Sequence, residues 1–231
     1  MKKKTVIVTG ASGNLGQAVV NKFLAEQYRV VGTVIPEDPF VIKFKNPNFE
    51  KSVVDLVDEE ATDLFVMNVI KMHGQIDVAV LTVGGFALGK IEDTTSADIM
   101  KQYKLNFETA YNVTRPVFRQ MMKQKKGHIF FIGSRPGLDA RNAKGMVAYS
   151  LAKSLIFRLA ALLNEEAKGN DVVANVIIPS TIDTPQNRVA MPDAEFESWV
   201  KPESIAEIIY LHTTGPTSIL RESLIKVYGN S

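Results

Sequence analysis

At 231 residues, with 45% hydrophobic and 23% charged positions, the chain carries enough apolar material for a sizeable core, which excludes a disordered or low-complexity polypeptide. Its 27 basic and 25 acidic residues give a net charge of +2, and the short basic runs Lys2-Lys3-Lys4 and Lys123-Gln124-Lys125-Lys126 argue against nucleic acid as a partner. Cysteine is absent, excluding a disulfide framework and a thiolate site; no apolar run has the length of a signal peptide core or the roughly 18 residues of a membrane span, so a cytoplasmic protein without a membrane partner is expected.

In chain order, residues 5–9 predict a first strand and residues 15–27 a helix with Val19, Val20, Phe23 and Leu24 on one face. A strand over 29–34 leads into an irregular stretch at 36–47, then a strand over 51–54 and a helix over 58–73. Strand 76–82, helix 99–123, strand 128–133 and helix 147–168 follow, the last with Leu155, Leu159 and Leu162 on one face. Strand 172–178, helix 202–213 and strand 224–227 complete the pattern. Strands as apolar as Val78-Ala79-Val80-Leu81 are expected to be covered on both faces, as in parallel sheets. The alternation predicts a single Rossmann-type doubly wound α/β domain over residues 1–231, with a mostly parallel sheet of about seven strands.

The turn Thr9-Gly10-Ala11-Ser12-Gly13-Asn14-Leu15-Gly16 leaves the first strand and opens the first helix. Glycine at positions 10, 13 and 16 permits a tight turn, close approach of backbone N–H groups to a pyrophosphate at the helix N-terminus, and tight helix-to-strand packing. The site this predicts is for a dinucleotide; the alternative is an ordinary strand-to-helix turn.

Tyr149 and Lys153 are four residues apart and share a helix face, where a nearby ammonium favours the phenolate. An isolated Tyr-x-x-x-Lys pair is also a common surface arrangement. Ser134 follows strand 128–133, at the strand end where open α/β sheets place their ligands.

Taken together, the glycine turn, Asp55 after the third strand, Asn106, Ser134, Tyr149-Ser150-Leu151-Ala152-Lys153 and the 179–184 segment resemble the ordered signatures of the short-chain dehydrogenase/reductase family across nearly the whole chain. The glycine spacing TGxxGxxG departs from the family's TGxxxGxG, and Leu81-Thr82-Val83-Gly84 stands in place of its Asn-Asn-Ala-Gly. The resemblance implies a cofactor, NAD or NADP, held by Gly10, Ser12, Gly13, Asn14, Leu15 and Gly16. It further implies Asp55 and Leu56 beside the adenine, Val83, Gly84 and Gly85 beside the adenosine ribose, and Pro179, Ile182 and Thr184 at the nicotinamide. Val83 to Gly85 also reads as a plain glycine-rich strand end. Neither an acid nor a base occupies the end of the second strand, at Val34 or Ile35, where the family reads the 2′-phosphate; Glu37 and Asp38 come slightly late.

The same resemblance implies Tyr149 as general acid/base, Ser134 as its partner on the substrate oxygen, Lys153 on the ribose and beside the tyrosine, and Asn106 holding a relay water. Asn106 also reads as a polar residue tolerated in a helix. Arg135 is expected at the substrate mouth. Gly84-Gly85-Phe86 and the stretch from Pro185 to Trp199 resemble dihydropteridine reductases, which implies a small-molecule substrate that is a carbonyl, an alcohol or a quinonoid pteridine. Phe196 and Trp199 read as packing or as a cover for a planar ligand. His73, His128 and His212 are dispersed and no metal is expected. Helices 99–123 and 147–168 resemble the pair through which family members form dimers and tetramers, so a homodimer or homotetramer is expected; the alternative is a monomer. The competing function is a catalytically silent dinucleotide-binding regulator or scaffold.

Overall fold

Seven strands lie in the order β3-β2-β1-β4-β5-β6-β7, every pairing parallel, in a computed structural model that describes residues 3–39, 44–215, 219–221 and 224–230. The strands are β1 (Thr5–Thr9), β2 (Arg29–Val34), β3 (Phe49–Val53), β4 (Val78–Leu81), β5 (Lys126–Ile132), β6 (Asp171–Pro179) and β7 (Leu224–Val227). The chain reverses its direction of sheet growth between β3 and β4, which opens a crevice at the C-terminal ends of β1 and β4. β1 and β4 are buried at every position, as expected of strands covered on both faces.

One face packs against α2 (Glu59–His73), α4 (Thr109–Gln124) and α6 (Val147–Glu166), the other against α1 (Asn14–Ala25) and α8 (Pro202–Leu211). Phe130 and Phe131, adjacent on β5, therefore enter opposite cores; both are fully buried, and truncating either to alanine would cost about 3–5 kcal/mol. Short helices α5 (Arg135–Leu138) and α7 (Pro185–Ala190) and 3-10 turns at Ala140–Asn142 and Phe196–Ser198 line the crevice side. The irregular stretch predicted over 36–47 has no helix or strand in its described part, and residues 40–43 lie outside the described residues.

The helix predicted over 99–123 begins earlier, at α3 (Ser96–Tyr103), because Thr95 and Asp98 form a reciprocal capping box. It runs through a single π turn, Lys104–Glu108, into α4, and the extra residue of that turn is confirmed by Thr109 N–H donating to the Lys104 carbonyl.

The buried stripe of α6 is Ala148, Ala152, Lys153, Ile156, Leu159, Ala160 and Leu163. Of the predicted face only Leu159 points inward. Leu155 and Leu162 are exposed together with Leu151, because small alanines bring this helix close to the sheet and leave the leucines outside. Those outward leucines also make an 18-residue window of the helix as apolar as a core helix of a folded domain can be, which leaves the expectation of no membrane span standing. Its inner stripe lies in the core of the sheet.

Candidate active site

The glycine turn leaves the N-terminus of α1 open. Gly10 has φ +62°, and a Cβ on Gly16 would stand 2.1 Å from the Gly10 carbonyl oxygen, so α1 can seat against β1 only with glycine there. Gly13 is the N-cap of α1, where no side chain caps the helix and no acid occupies the first turn. The unsatisfied N–H groups of that turn point to the crevice, which fits the pyrophosphate of a dinucleotide. Ala11 N–H donates to the Thr33 carbonyl at 2.8 Å and pins the turn to β2.

Ser12 is buried, and its hydroxyl donates to Asp38 Oδ2 at 2.5 Å. Asp38 returns to the turn because Glu37, at φ +55°, reverses the chain just after β2. Charge absent from the end of β2 is thus supplied from the loop beyond it, a contact no strand-end pattern reveals.

Across the crevice, Thr82 takes over a bridging role between β1 and β4. Its hydroxyl donates to the Thr9 carbonyl at 2.6 Å and its N–H donates to Thr9 Oγ1 at 3.0 Å. Asp55 closes a turn by accepting Val57 N–H at 3.0 Å, and Asn112 of α4 holds the same segment by donating to the Leu56 carbonyl at 2.9 Å. Asp55 and Leu56 follow the C-terminal end of β3, and Val83, Gly84 and Gly85 follow the C-terminal end of β4, on the same edge of the sheet.

The segment after Pro179 folds back over α1. Ile182 bridges to Val200; its carbonyl accepts from Asn187 Nδ2 at 2.8 Å, and Thr184 caps α7 by accepting Asn187 N–H at 3.1 Å. Asn14 Nδ2 donates to Gln186 Oε1 at 2.7 Å, joining this segment to the glycine turn. Arg188 binds Asp183 through two bonds of 2.6 and 2.9 Å and lies 4.7 Å from the Phe196 ring, which in turn meets Trp199 at 4.8 Å.

Ser134, Tyr149 and Lys153 meet at the C-terminal end of β5. Ser134 caps α5 by accepting Gly137 N–H at 3.1 Å, and its side chain faces the Tyr149 hydroxyl closely enough to favour the phenolate. Burial raises the Tyr149 phenol above its usual 10, and the Ser134 side chain only partly offsets it. The expected lowering by Lys153 is not seen: its ammonium is turned to the Ile132 carbonyl at 2.8 Å, and burial brings the lysine itself down to about 8.

The Asn106 side chain lies at the same place but is already engaged. Its Oδ1 accepts Gly85 N–H at 3.1 Å and its Nδ2 donates to the Gly85 carbonyl at 3.0 Å and to Gln102 Oε1 at 2.8 Å. Both Nδ2 hydrogens are committed, so a relay water on that side chain would have to donate to the second lone pair of Oδ1. Arg135, beside Ser134, places its guanidinium 3.9 Å from the Tyr228 ring. Among the described residues no group of His, Cys, Asp and Glu is placed to hold a metal. The sequence reading missed Gln102 and Gln186, and noted Asp38 only as an acid lying slightly beyond the second strand. Of the two missed residues, Gln102 left a readable signal, an amide one helical turn before Asn106.

An anion-ready turn facing a serine, tyrosine and lysine at the sheet's C-terminal edge is the arrangement of a dinucleotide-dependent oxidoreductase. The family model for short chain dehydrogenase matches residues 4–195, and the chain belongs to that family of NAD(P)-dependent enzymes. It is 28% identical over 191 residues to an acetoacetyl-CoA reductase of Acinetobacter sp. (strain RA3849), covering 80% of this chain and 76% of the relative. It is also 28% identical over 185 residues to a cyclic-di-GMP-binding biofilm dispersal mediator protein of Escherichia coli (strain K12), covering 80% and 75%. Among solved structures, ElxO with NADP bound superposes with a TM-score of 0.88 at 21% identity over 98% of each chain. An aldohexose dehydrogenase of Thermoplasma acidophilum gives 0.85 at 21%, covering 99% and 94%.

Proposed function

We propose that this chain transfers a hydride between a nicotinamide dinucleotide and a carbonyl or alcohol, with Tyr149 as the general acid/base. The observation that carries the reading is the convergence of Ser134, Tyr149 and Lys153 at the end of β5, next to the glycine-lined crevice. The bound nicotinamide would supply the hydride. Ser134 orients the acceptor oxygen, and the Tyr149 hydroxyl gives it a proton in reduction or withdraws one in oxidation. Lys153 binds the nicotinamide ribose and holds positive charge near the phenol once the ribose draws it from Ile132. Asp55, Leu56, Ile182 and Thr184 complete the adenine and nicotinamide ends. Of the two dinucleotides, NAD(H) is favoured by the Asp38 carboxylate on Ser12, which would accept from ribose hydroxyls and repel a 2′-phosphate.

The acceptor panel that tests this contains acetoacetyl and longer 3-oxoacyl thioesters, suggested by the relatives, together with sugars and a quinonoid dihydropterin, suggested by the 185–199 sequence. Dinucleotide oxidation with at least one acceptor is the expected outcome. A second reading, a dinucleotide-binding regulator in the cytoplasm, is favoured by the similarity to the biofilm dispersal mediator; tight binding with no turnover across the panel would support it instead.

For assembly, the outward Leu151, Leu155 and Leu162 of α6 and Tyr111 of α4 favour a symmetric dimer or tetramer. Sedimentation equilibrium tests it, since a single species at 25.5 kDa would count against association.

A further inference from the structure

Gln102 sits on α3, well ahead of the reacting groups, yet it is only 5% exposed and its amide faces inward. Its Oε1 accepts from Asn106 Nδ2 at 2.8 Å, and its backbone carbonyl accepts from the same nitrogen at 3.3 Å. The rest of the Asn106 carboxamide pairs both backbone groups of Gly85, as a neighbouring strand would. With the Gln102 bond, both N–H donors of that amide are used.

Gly85 is flanked by two residues that touch the chemistry. A Cβ on Gly84 would stand 2.8 Å from Asn106 Oδ1 and 3.2 Å from Lys153 Nζ, so this glycine is held between them. On the other side, the Phe86 ring meets the Tyr149 ring edge-on with centroids 5.2 Å apart. A Cβ on Gly85 itself would stand 2.6 Å from Leu105 Cδ2, so the segment lies flush on the π turn. Motion of Gly85 would reach Lys153 and Tyr149 together.

We infer that Gln102 is a positioning residue, which by fixing the Asn106 amide holds the Gly84-Gly85-Phe86 segment against Lys153 and Tyr149. The inference rests on the proposed roles of those two residues, but its structural half does not depend on turnover. Buried polar networks hold geometry only when every member is satisfied. In this one, removing the Gln102 side-chain oxygen leaves the Asn106 amide leaning on the longer bond to the backbone.

The experiment compares Gln102→Leu, which removes the acceptor, with Gln102→Glu, which keeps a side-chain oxygen at the same reach. Amide hydrogen exchange over residues 83–87 should quicken about tenfold in Gln102→Leu and stay near wild type in Gln102→Glu. With an acceptor that the wild type reduces, Gln102→Leu should lower kcat about tenfold while its KM and the NADH Kd change less than about threefold, and Gln102→Glu should recover most of the loss. If Gln102→Leu does not fold, Gln102→Met, of the same length, carries the same expectations. Wild-type exchange in the Leu or Met variant would overturn the inference, as would a Glu variant no better than either. A wild-type enzyme without turnover would defeat the proposed function alone, leaving the exchange comparison to decide the role of Gln102.

Discussion

His128 near the start of β5 and Lys153 beside its end are both buried bases, and burial lowers both, to about 4 for the imidazole and about 8 for the ammonium. Around His128 the charges of Asp171, Arg221, Lys126 and Lys4 act only at a distance, and its Nδ1 is buried without a hydrogen bond. Around Lys153 stand the Ile132 carbonyl, Gly84 and the Asn106 amide, with Tyr149 one turn earlier on the same helix. The contrast teaches that a displaced pKa marks a site only where other groups converge on it; at His128 the same desolvation is a cost of packing the sheet.

Four variants would break or sharpen the contrast. The largest effect is expected from Gly16→Val, which touches neither base: its Cβ would stand 2.1 Å from the Gly10 carbonyl oxygen, so α1 must move off β1. Calorimetry should find dinucleotide affinity reduced about 100-fold or more, since an ångström of displacement at a binding turn is that costly. Unchanged affinity in a folded variant would count against the pocket. Tyr149→Phe should keep affinity and fold while lowering kcat about 100-fold, through loss of the proton donor.

Lys153→Met should weaken dinucleotide binding and lower kcat by about tenfold or more, yet stabilise the fold at neutral pH. The folded protein holds this proton more weakly than the unfolded chain, with a pKa near 8 against 10.5, so wild-type stability should rise as pH increases from 8 toward 10. Below pH 8 the buried ammonium costs on the order of 3 kcal/mol, less what the Ile132 bond returns, and the methionine variant removes that cost. Urea unfolding across this pH range checks it; parallel curves for wild type and variant would contradict a charged, buried Lys153.

The smallest functional effect is expected at the other end of β5. His128→Phe should leave kcat unchanged. His128 stays neutral when folded down to about 4 but protonates near 6.5 when unfolded, so its stability contribution is present above 6.5 and lost as pH falls toward 4. Melting curves should show the variant losing less stability than wild type over that interval, by on the order of 3 kcal/mol. A loss of activity in this variant would erase the distinction between the two bases.

Local patterns recorded much of the scaffold. β1 and β2 fall where apolar runs put them, and the glycine turn, Tyr149 and Lys153 are readable because each depends on short-range spacing. The outward face of α6 was not readable, because leucine at 155 and 162 looks like core until the close approach of Ala148, Ala152 and Ala160 to the sheet is known. The π turn around Asn106 depends on contacts with Gly84 and Gly85, some twenty residues earlier. Asp38 reaches Ser12 only through the left-handed turn at Glu37. The Arg135 contact was hidden for a similar reason: Tyr228, its stacking partner, comes from the far end of the chain.

The central claim, that Tyr149 acts as the proton donor in a dinucleotide-dependent reaction, is tested most directly by paired titration and turnover of wild type and Tyr149→Phe. NADH fluorescence would give Kd for both proteins, and dinucleotide oxidation with the best acceptor of the panel would give kcat. Equal Kd values with a kcat about 100-fold lower in the variant are expected. Equal kcat values in the two proteins would contradict the claim.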